Sequence, residues 1–157
     1  MEKIELKPAS VFHYLNEICQ VPRPSKKEEK IIAYLENFAQ AQGLEWKKDE
    51  AGNILIKKPA TPGKENLKTV ILQSHIDMVC EKNSDSTHDF LNDPIETYID
   101  GEWLKAKGTT LGADNGIGMA AQLAVLAAND IEHGPIECLF TVDEETGLTG
   151  AFALKEG

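Results

Sequence analysis

The sequence predicts an α/β fold in which helices flank a mostly parallel central sheet. Segments with the apolar spacing of a helix alternate with short apolar runs that are typical of buried strands. At 157 residues with 41% apolar side chains, the chain is long enough for one globular domain with a substantial core. It contains no apolar stretch of the roughly 18 residues that cross a membrane, so no membrane partner is expected.

The N-terminal part of the chain predicts two helices. Ser10 is placed to cap a short helix that ends near Ile18, before a proline-rich break. A second amphipathic helix follows and is ended by Gly43. Ser25 and Glu28 have the spacing of a capping box at its start.

The rest of the chain predicts a hairpin, further strands and a buried helix. The predicted elements are hairpin strands at 44–48 and 53–57, strands at 69–72, 103–106 and 136–142, and a helix at 116–129. The continuous apolar runs at 69–72 and 136–142 are typical of strands covered on both faces. Binding sites in such sheets lie beyond the carboxyl ends of the strands, so functional residues are expected there.

Acidic residues are concentrated in the second part of the chain. The net charge of −10 divides into +2 over residues 1–68 and −12 over residues 69–157. This excess of carboxylates disfavours nucleic acid as a partner. It leaves two interpretations open, a cation site or an acidic solvated surface.

The cysteines and the N-terminus predict a reducing compartment. Cys19, Cys80 and Cys138 are far apart, lie among apolar neighbours and form no C-x-x-C pair. They are therefore expected to be reduced core residues rather than metal ligands. The first residues carry no apolar leader segment, and a cytoplasmic location is expected.

A histidine and an aspartate follow the first buried strand at its carboxyl end. His75 and Asp77 are two residues apart, so on an extended chain both side chains point the same way. His75 could then bind a metal while Asp77 accepts the other ring N–H. A His–Asp hydrogen bond that only closes the strand is the alternative.

A glycine-rich loop, residues 108–118, places Asp114 just before a helix. The helix N-terminus favours an anion, and a carboxylate there has two oxygens available to bridge two cations. The alternative is that Asp114 or Asn115 only caps the helix.

Three consecutive carboxylates, ending with Glu144 and Glu145, follow the second buried strand. Such charges repel one another unless a cation compensates. Because adjacent side chains face apart, one glutamate could bind metal while the other acts as general base. A solvated loop is the alternative for this cluster alone, but three such clusters at strand or loop ends favour a carboxylate-rich dimetal hydrolase.

Residues 116–121 also fit G-x-G-x-x-A, the fingerprint of a dinucleotide site. That site needs a strand directly before the motif and an acidic residue about 20 residues later. Here a loop precedes the motif and Ile136 stands at that distance. A non-catalytic nucleotide-binding α/β module is therefore the less favoured alternative. Thermal stabilisation by a nucleotide would support it, and stabilisation by zinc would oppose it.

Five stretches make the sequence similar to a known family. They are residues 19–25, 74–79, 88–95, 108–119 and 143–147. Over essentially its whole length the chain resembles the cytosolic aminoacyl-histidine dipeptidases, or Xaa-His dipeptidases, a subgroup of the glutamate carboxypeptidase-like dizinc peptidase family. The run at 108–118 is specific to that subgroup.

The resemblance implies a role for each candidate residue. His75 would ligate one zinc ion, Glu145 the other, and Asp114 would bridge both. Glu144 would be the general base, and Asp77 would orient His75.

The activity implied by the resemblance is hydrolysis of dipeptides, Xaa-His in particular, by metal-activated water. The residues alone indicate only a dimetal hydrolase, and manganese or cobalt could take the place of zinc. Another aminoacylase or aminopeptidase of the same family is the nearest alternative.

The family differs from this chain in length. Its members have several hundred residues, with further metal ligands after the glutamate pair and a lid domain that forms homodimers. The resemblance implies that residues 1–157 are the N-terminal portion of the catalytic domain, without the lid or the C-terminal half, and are inactive alone.

The resemblance also implies a cis peptide bond between Asp114 and Asn115. Without metals, raised pKa values are expected for the four site carboxylates.

Overall fold

A computed structural model describes residues 6–155 of the chain. These residues form four helices and six strands. In chain order they are α1 (Ala9–Cys19), α2 (Glu29–Ala41), β1 (Glu45–Lys48), β2 (Ile54–Lys58), β3 (Val70–His75), β4 (Thr97–Asp100), β5 (Trp103–Ala106), α3 (Ala113–Ala127), β6 (Ile136–Thr141) and α4 (Thr149–Phe152). The predicted α/β class is confirmed, with helices flanking a sheet.

The main sheet has four strands in the order β1-β2-β6-β3. Strands β3 and β6 are parallel, whereas β1 with β2 and β2 with β6 are antiparallel. The sheet is therefore mixed, in contrast to the mostly parallel sheet expected, because the short turn between β1 and β2 can join only antiparallel strands. The parallel pair still brings two carboxyl ends together, since His75 lies opposite Thr141.

The core lies between this sheet and the helices. Helix α3 packs against both α1 and β3. Fully buried core side chains come from both the helices and the sheet and include Ile18, Ile31, Leu35, Ile54, Ile56, Met119, Leu123, Cys138 and Phe140. All three cysteines are free thiols, with Cys19 and Cys138 buried and Cys80 half-buried.

Strand β3 lies at an edge of the sheet within the described residues. Its first residues, Val70 and Ile71, are 52% and 63% exposed. The prediction of a strand covered on both faces is therefore wrong for the start of β3. It holds better for β6, which lies between two strands and buries Cys138 and Phe140 completely.

The starts of the first two helices differ from the prediction. Helix α1 begins at Ala9 and α2 at Glu29, both without a side-chain cap. Ser10 lies in the first turn of α1. The side chains of Ser25 and Glu28 instead form hydrogen bonds with Asp77 and with the backbone of Asp143, which belong to the candidate site described below.

A small second sheet precedes α3. It pairs β5, at the predicted residues 103–106, with β4, which lies in a segment where the sequence predicted no strand. Residues 107–112 form a loop between β5 and α3, so no strand directly precedes the G-x-G-x-x-A motif. Among the described helices, none combines the length and apolarity needed to span a membrane.

Candidate metal centre

His75 ends β3 and is almost completely enclosed by carboxylates and backbone. Its Nε2 lies 3.1 Å from Oδ1 of Asp114, and its Nδ1 lies 3.3 Å from Oδ1 of Asp77. Burial disfavours the charged ring, but these two hydrogen bonds and the negative charge of Glu144 outweigh it and raise the pKa of His75 to about 9. In the absence of a metal, the imidazole is therefore protonated at neutral pH.

Asp77 is fully buried and connects two of the three sequence clusters. One carboxylate oxygen faces His75 and accepts the backbone N–H of Glu144 at 3.0 Å. The other accepts the Ser25 hydroxyl at 2.7 Å and the N–H of Glu145 at 3.2 Å. Asp77 thus holds His75 and the turn that carries both glutamates in one arrangement.

The raised pKa expected for the site carboxylates is wrong for Asp77. Burial alone would raise its pKa, but the hydrogen bonds from His75, from Ser25 and from two backbone amides lower it well below its usual range. The expectation fits Glu145, whose pKa is raised by burial and by neighbouring carboxylates, partly offset by His75.

Asp114 stands at the junction of the glycine-rich loop and α3. The loop turns at Gly112, whose φ of +69° suits glycine. The peptide bond between Asp114 and Asn115 is cis, as the resemblance implied. Asn115 accepts the N–H of Gly118 at 3.1 Å through its side chain, which is the capping role considered for either residue. The Asp114 side chain is 86% exposed and its carboxylate remains available to a ligand.

Glu144 and Glu145 lie in the turn after β6. Asp143 enters this turn with a φ of +47°, which redirects the chain after the strand. Oε2 of Glu144 is 3.8 Å from Nε2 of His75. Glu145 has a carboxylate oxygen within 4.8 Å of a ring nitrogen of His75, so both adjacent glutamates lie beside the same histidine.

One ligand atom from each of His75, Asp114 and Glu145 lies within 4.8 Å of the other two. The three residues come from three separated parts of the sequence, and the fold brings them together at one edge of the sheet. An imidazole nitrogen with two carboxylates is a donor set that suits zinc and similar divalent ions. The residues present therefore fit a metal.

Ser25 and Glu28 belong to the surroundings of this centre, and the sequence analysis missed them. One carboxylate oxygen of Glu28 accepts the N–H groups of Asp143 and Lys26, both at 3.0 Å. Burial raises the pKa of Glu28, against the effect of those backbone donors. Both residues directly follow the proline-rich break, which could have indicated a role near the site. Their spacing, however, also fits a helix cap.

The other described histidines lie away from the ligand group. His13 pairs with Glu17 on α1, His88 stacks against Phe90, and His133 contacts the backbone of Gly134.

A cleft of about 500 Å³ opens onto the centre. Its polar wall includes His75, Asp114 and Glu144, and its apolar wall includes Leu139 and Leu148. The candidate ligands are therefore reachable from solvent.

Comparison with known proteins finds relatives that are named as peptidases. The cytosol non-specific dipeptidase of Escherichia coli is 53% identical over 98% of this chain. The crystal structure of the aminoacylhistidine dipeptidase from Vibrio alginolyticus superimposes on 97% of the chain with a TM-score of 0.95 and 59% identity. The aminopeptidase PepT from Bacillus cereus covers 93% with a TM-score of 0.77 and 28% identity.

These relatives are much longer than this chain. The chain spans 32% of the Escherichia coli protein, 31% of the Vibrio structure and 39% of the Bacillus structure. Residues 71–157, more than half of the chain and all of the candidate ligands, match Peptidase family M20/M25/M40. The chain therefore belongs to Peptidase family M20/M25/M40.

Proposed function

We propose that this chain is the N-terminal portion of the catalytic domain of a metal-dependent dipeptidase. The observation that carries the proposal is the convergence of His75, Asp114 and Glu145, which a metal peptidase requires and a nucleotide-binding module does not. Family membership and the names of the relatives support the reaction class.

The proposed ligands divide between two metal ions. His75 would hold one ion, Glu145 would hold the other, and the exposed Asp114 carboxylate would be shared between them. Zinc is the proposed metal, with manganese or cobalt able to occupy a site of this composition. When bound, such ions polarise the scissile carbonyl and make water a stronger nucleophile.

Glu144 is the proposed general base. Its carboxylate lies 3.8 Å from the His75 ring, beside the ligands without belonging to the ligand group. There it can accept a proton from the attacking water while the new C–O bond forms, and deliver that proton to the amine as the peptide C–N bond breaks. Asp77 is the proposed positioning residue for the ligand His75 and the base Glu144, since it contacts the ring of the first and the backbone N–H of the second.

The proposed substrates are dipeptides, with Xaa-His as the preferred class. One relative is named an aminoacylhistidine dipeptidase and another a non-specific dipeptidase, so a panel of dipeptides must decide. An aminopeptidase is the second candidate because of the likeness to PepT. A cytoplasmic location and a homodimer formed through a lid domain of the longer protein complete the proposal.

Zinc binding and hydrolysis together test this function. Zinc should raise the melting temperature of the wild-type chain, and His75→Ala should abolish this effect while the matched variant His133→Ala retains it. The longer protein should hydrolyse dipeptides, and not longer peptides, in a zinc-dependent manner. A zinc response that survives His75→Ala, or removal of N-terminal residues from longer peptides, would contradict the proposal.

A further inference from the structure

Arg23 is a buried cation in the chain segment between α1 and α2. Only 2% of its surface is exposed. Its guanidinium is held by backbone carbonyls: Nη1 donates to Ile76 at 3.1 Å and to Asp77 at 3.0 Å, and Nη2 donates to Gly112. Burying a charge is costly unless its hydrogen bonds are satisfied, so this arrangement requires a close fit between the guanidinium and these carbonyls.

The three carbonyls belong to the two segments that carry metal ligands. Ile76 and Asp77 directly follow His75, and Gly112 is two residues before Asp114. The contact with the first segment is reciprocal, because the N–H of Met78 donates to the carbonyl of Arg23 at 3.1 Å. One planar side chain therefore links the backbone on both sides of the contact between His75 and Asp114.

Glycines on either side of Asp114 leave room for the guanidinium. A Cβ atom at Gly112 would lie 2.6 Å from Nη2 of Arg23, and one at Gly116 would lie 2.7 Å from the same nitrogen. Both distances are far inside van der Waals contact. Glycine at these two positions therefore leaves the space that the guanidinium of Arg23, about 90 residues earlier in the chain, occupies.

We infer that Arg23 is a positioning residue that sets the distance between His75 and Asp114, and thereby the affinity of the centre for its metals. Lysine cannot replace it, because a single ammonium lacks the planar fork of donors that reaches carbonyls of two segments at once. The link between the segments rests on the contacts alone, whereas the effect on metal affinity rests on the proposed function.

Arg23→Lys in the full chain is the test variant, because it keeps the positive charge. The first measurement is amide hydrogen exchange without metal. The N–H groups of Met78 and Gly116, which bond to Arg23 and Gly112, should exchange at least about tenfold faster than in wild type. The second measurement is a zinc titration, in which the dissociation constant should rise at least about tenfold.

Leu35→Ala is the matched control for a general loss of stability. Leu35 is fully buried in α2 and touches neither segment through a hydrogen bond. At equal global stability, adjusted with urea, this variant should leave both amide exchange rates and the zinc dissociation constant within about twofold of wild type. Equal effects of Leu35→Ala and Arg23→Lys would overturn the inference, as would unchanged exchange at Met78 and Gly116 in Arg23→Lys.

Gly116→Ala replaces Arg23→Lys if the lysine variant does not fold. Gly116 lies outside the positive-φ region, so alanine acts there mainly by displacing the guanidinium. It should accelerate exchange at Met78, in the segment on the far side of Arg23, and exchange unchanged at that amide overturns the inference. If neither this chain nor the longer protein binds zinc, the metal proposal fails by itself, and the exchange rates alone decide whether Arg23 links the two segments.

Discussion

Asp77 shows how one side chain can organise a site to which it contributes no proposed ligand. It is fully buried. Its two oxygens accept hydrogen bonds from the Ser25 hydroxyl and from two backbone N–H groups, and one of them contacts a ring nitrogen of His75. A carboxylate with this many donors is stabilised in its charged form, which is why its pKa falls in spite of burial. It therefore stabilises the fold at neutral pH, and that contribution is lost as the pH falls through the lowered pKa.

Asp77→Asn should destabilise the protein by about 2–4 kcal/mol, because a neutral amide offers one acceptor oxygen where the carboxylate offers two. Urea unfolding at pH 7 measures this difference. The pKa of His75, followed by NMR, should fall at the same time from about 9 towards the ordinary histidine value of 6.5. Asp85→Asn, at an exposed aspartate, is the control and should change neither quantity. An unchanged pKa of His75 in Asp77→Asn would contradict this account.

The raised pKa of His75 makes metal binding dependent on pH. Because the metal-free ring is protonated below pH of about 9, a metal that binds there must displace one proton. The apparent affinity should rise about tenfold per pH unit between pH 6 and 8. Calorimetry at pH 7 in buffers of different ionisation enthalpy should detect about one proton released from His75.

The same shift has a consequence for the stability of the metal-free protein. A raised folded-state pKa stabilises the fold fully below pH 6.5, and this stabilisation is lost as the pH rises towards about 9. His133→Gln should leave the proton release and this pH dependence unchanged. Zinc binding without proton release at pH 7 would show that His75 is already neutral or is not a ligand.

At the scale of elements, the turn after β6 is held in place by the hairpin of β1 and β2. Asn53, which is 3% exposed and ends the hairpin turn, accepts the N–H of Val142 at 3.0 Å and donates to the carbonyl of Gly150 at 2.9 Å. These two contacts bracket the turn that carries Glu144 and Glu145. The N-terminal hairpin thus holds in place a turn about 90 residues later in the chain, which carries the proposed base and one proposed ligand.

Asn53→Ala should cost about 2–3 kcal/mol in urea unfolding, because it removes three side-chain hydrogen bonds and leaves the buried N–H of Val142 without its acceptor. Weaker zinc binding should accompany this loss, since the turn becomes less ordered. Asn92→Ala removes an amide whose hydrogen bonds, to Asp89 and from Lys30, are both exposed, and it should cost less than about 0.5 kcal/mol. Equal costs for the two variants would contradict a special role of Asn53.

Local sequence patterns predicted most helices and strands, but they did not predict the strand order or how deeply each strand is buried. The hairpin, β6 and the helix after the glycine-rich loop were predicted from turn residues and apolar spacing, both of which are local signals. The mixed sheet and the exposed start of β3 were not, because strand order depends on contacts far apart in sequence.

The same reason explains what was missed around the site. His75, Asp114 and Glu145 stood out because charged residues at strand and loop ends break the apolar pattern. Ser25 and Glu28 had a sufficient local explanation as a helix cap, and their partners, Asp77 and Asp143, lie 52 and 115 residues away. A buried arginine held by carbonyls leaves no local pattern at all.

At the scale of the whole molecule, the centre is assembled from five segments that are spread along the described chain. The segment from Arg23 to Glu28, the hairpin, the end of β3, the start of α3 and the turn after β6 all contribute a ligand or a supporting hydrogen bond. Yet the described residues supply three proposed ligands for two metal ions, and zinc sites use three or four protein ligands per ion. Relatives about three times longer have the chain length to supply the remainder.

We therefore expect residues 1–157 alone to bind zinc weakly and to lack dipeptidase activity, while the longer protein is active. Water must fill the coordination positions that protein ligands leave open, so neither ion is held tightly in the geometry that hydrolysis requires. The measurement is hydrolysis of a panel of dipeptides by the purified, zinc-loaded chain, with the longer protein as positive control. Zinc-dependent hydrolysis by the chain alone that Glu144→Ala abolishes would contradict this expectation. It would show that a second copy of the chain, or residues outside 6–155, completes the coordination.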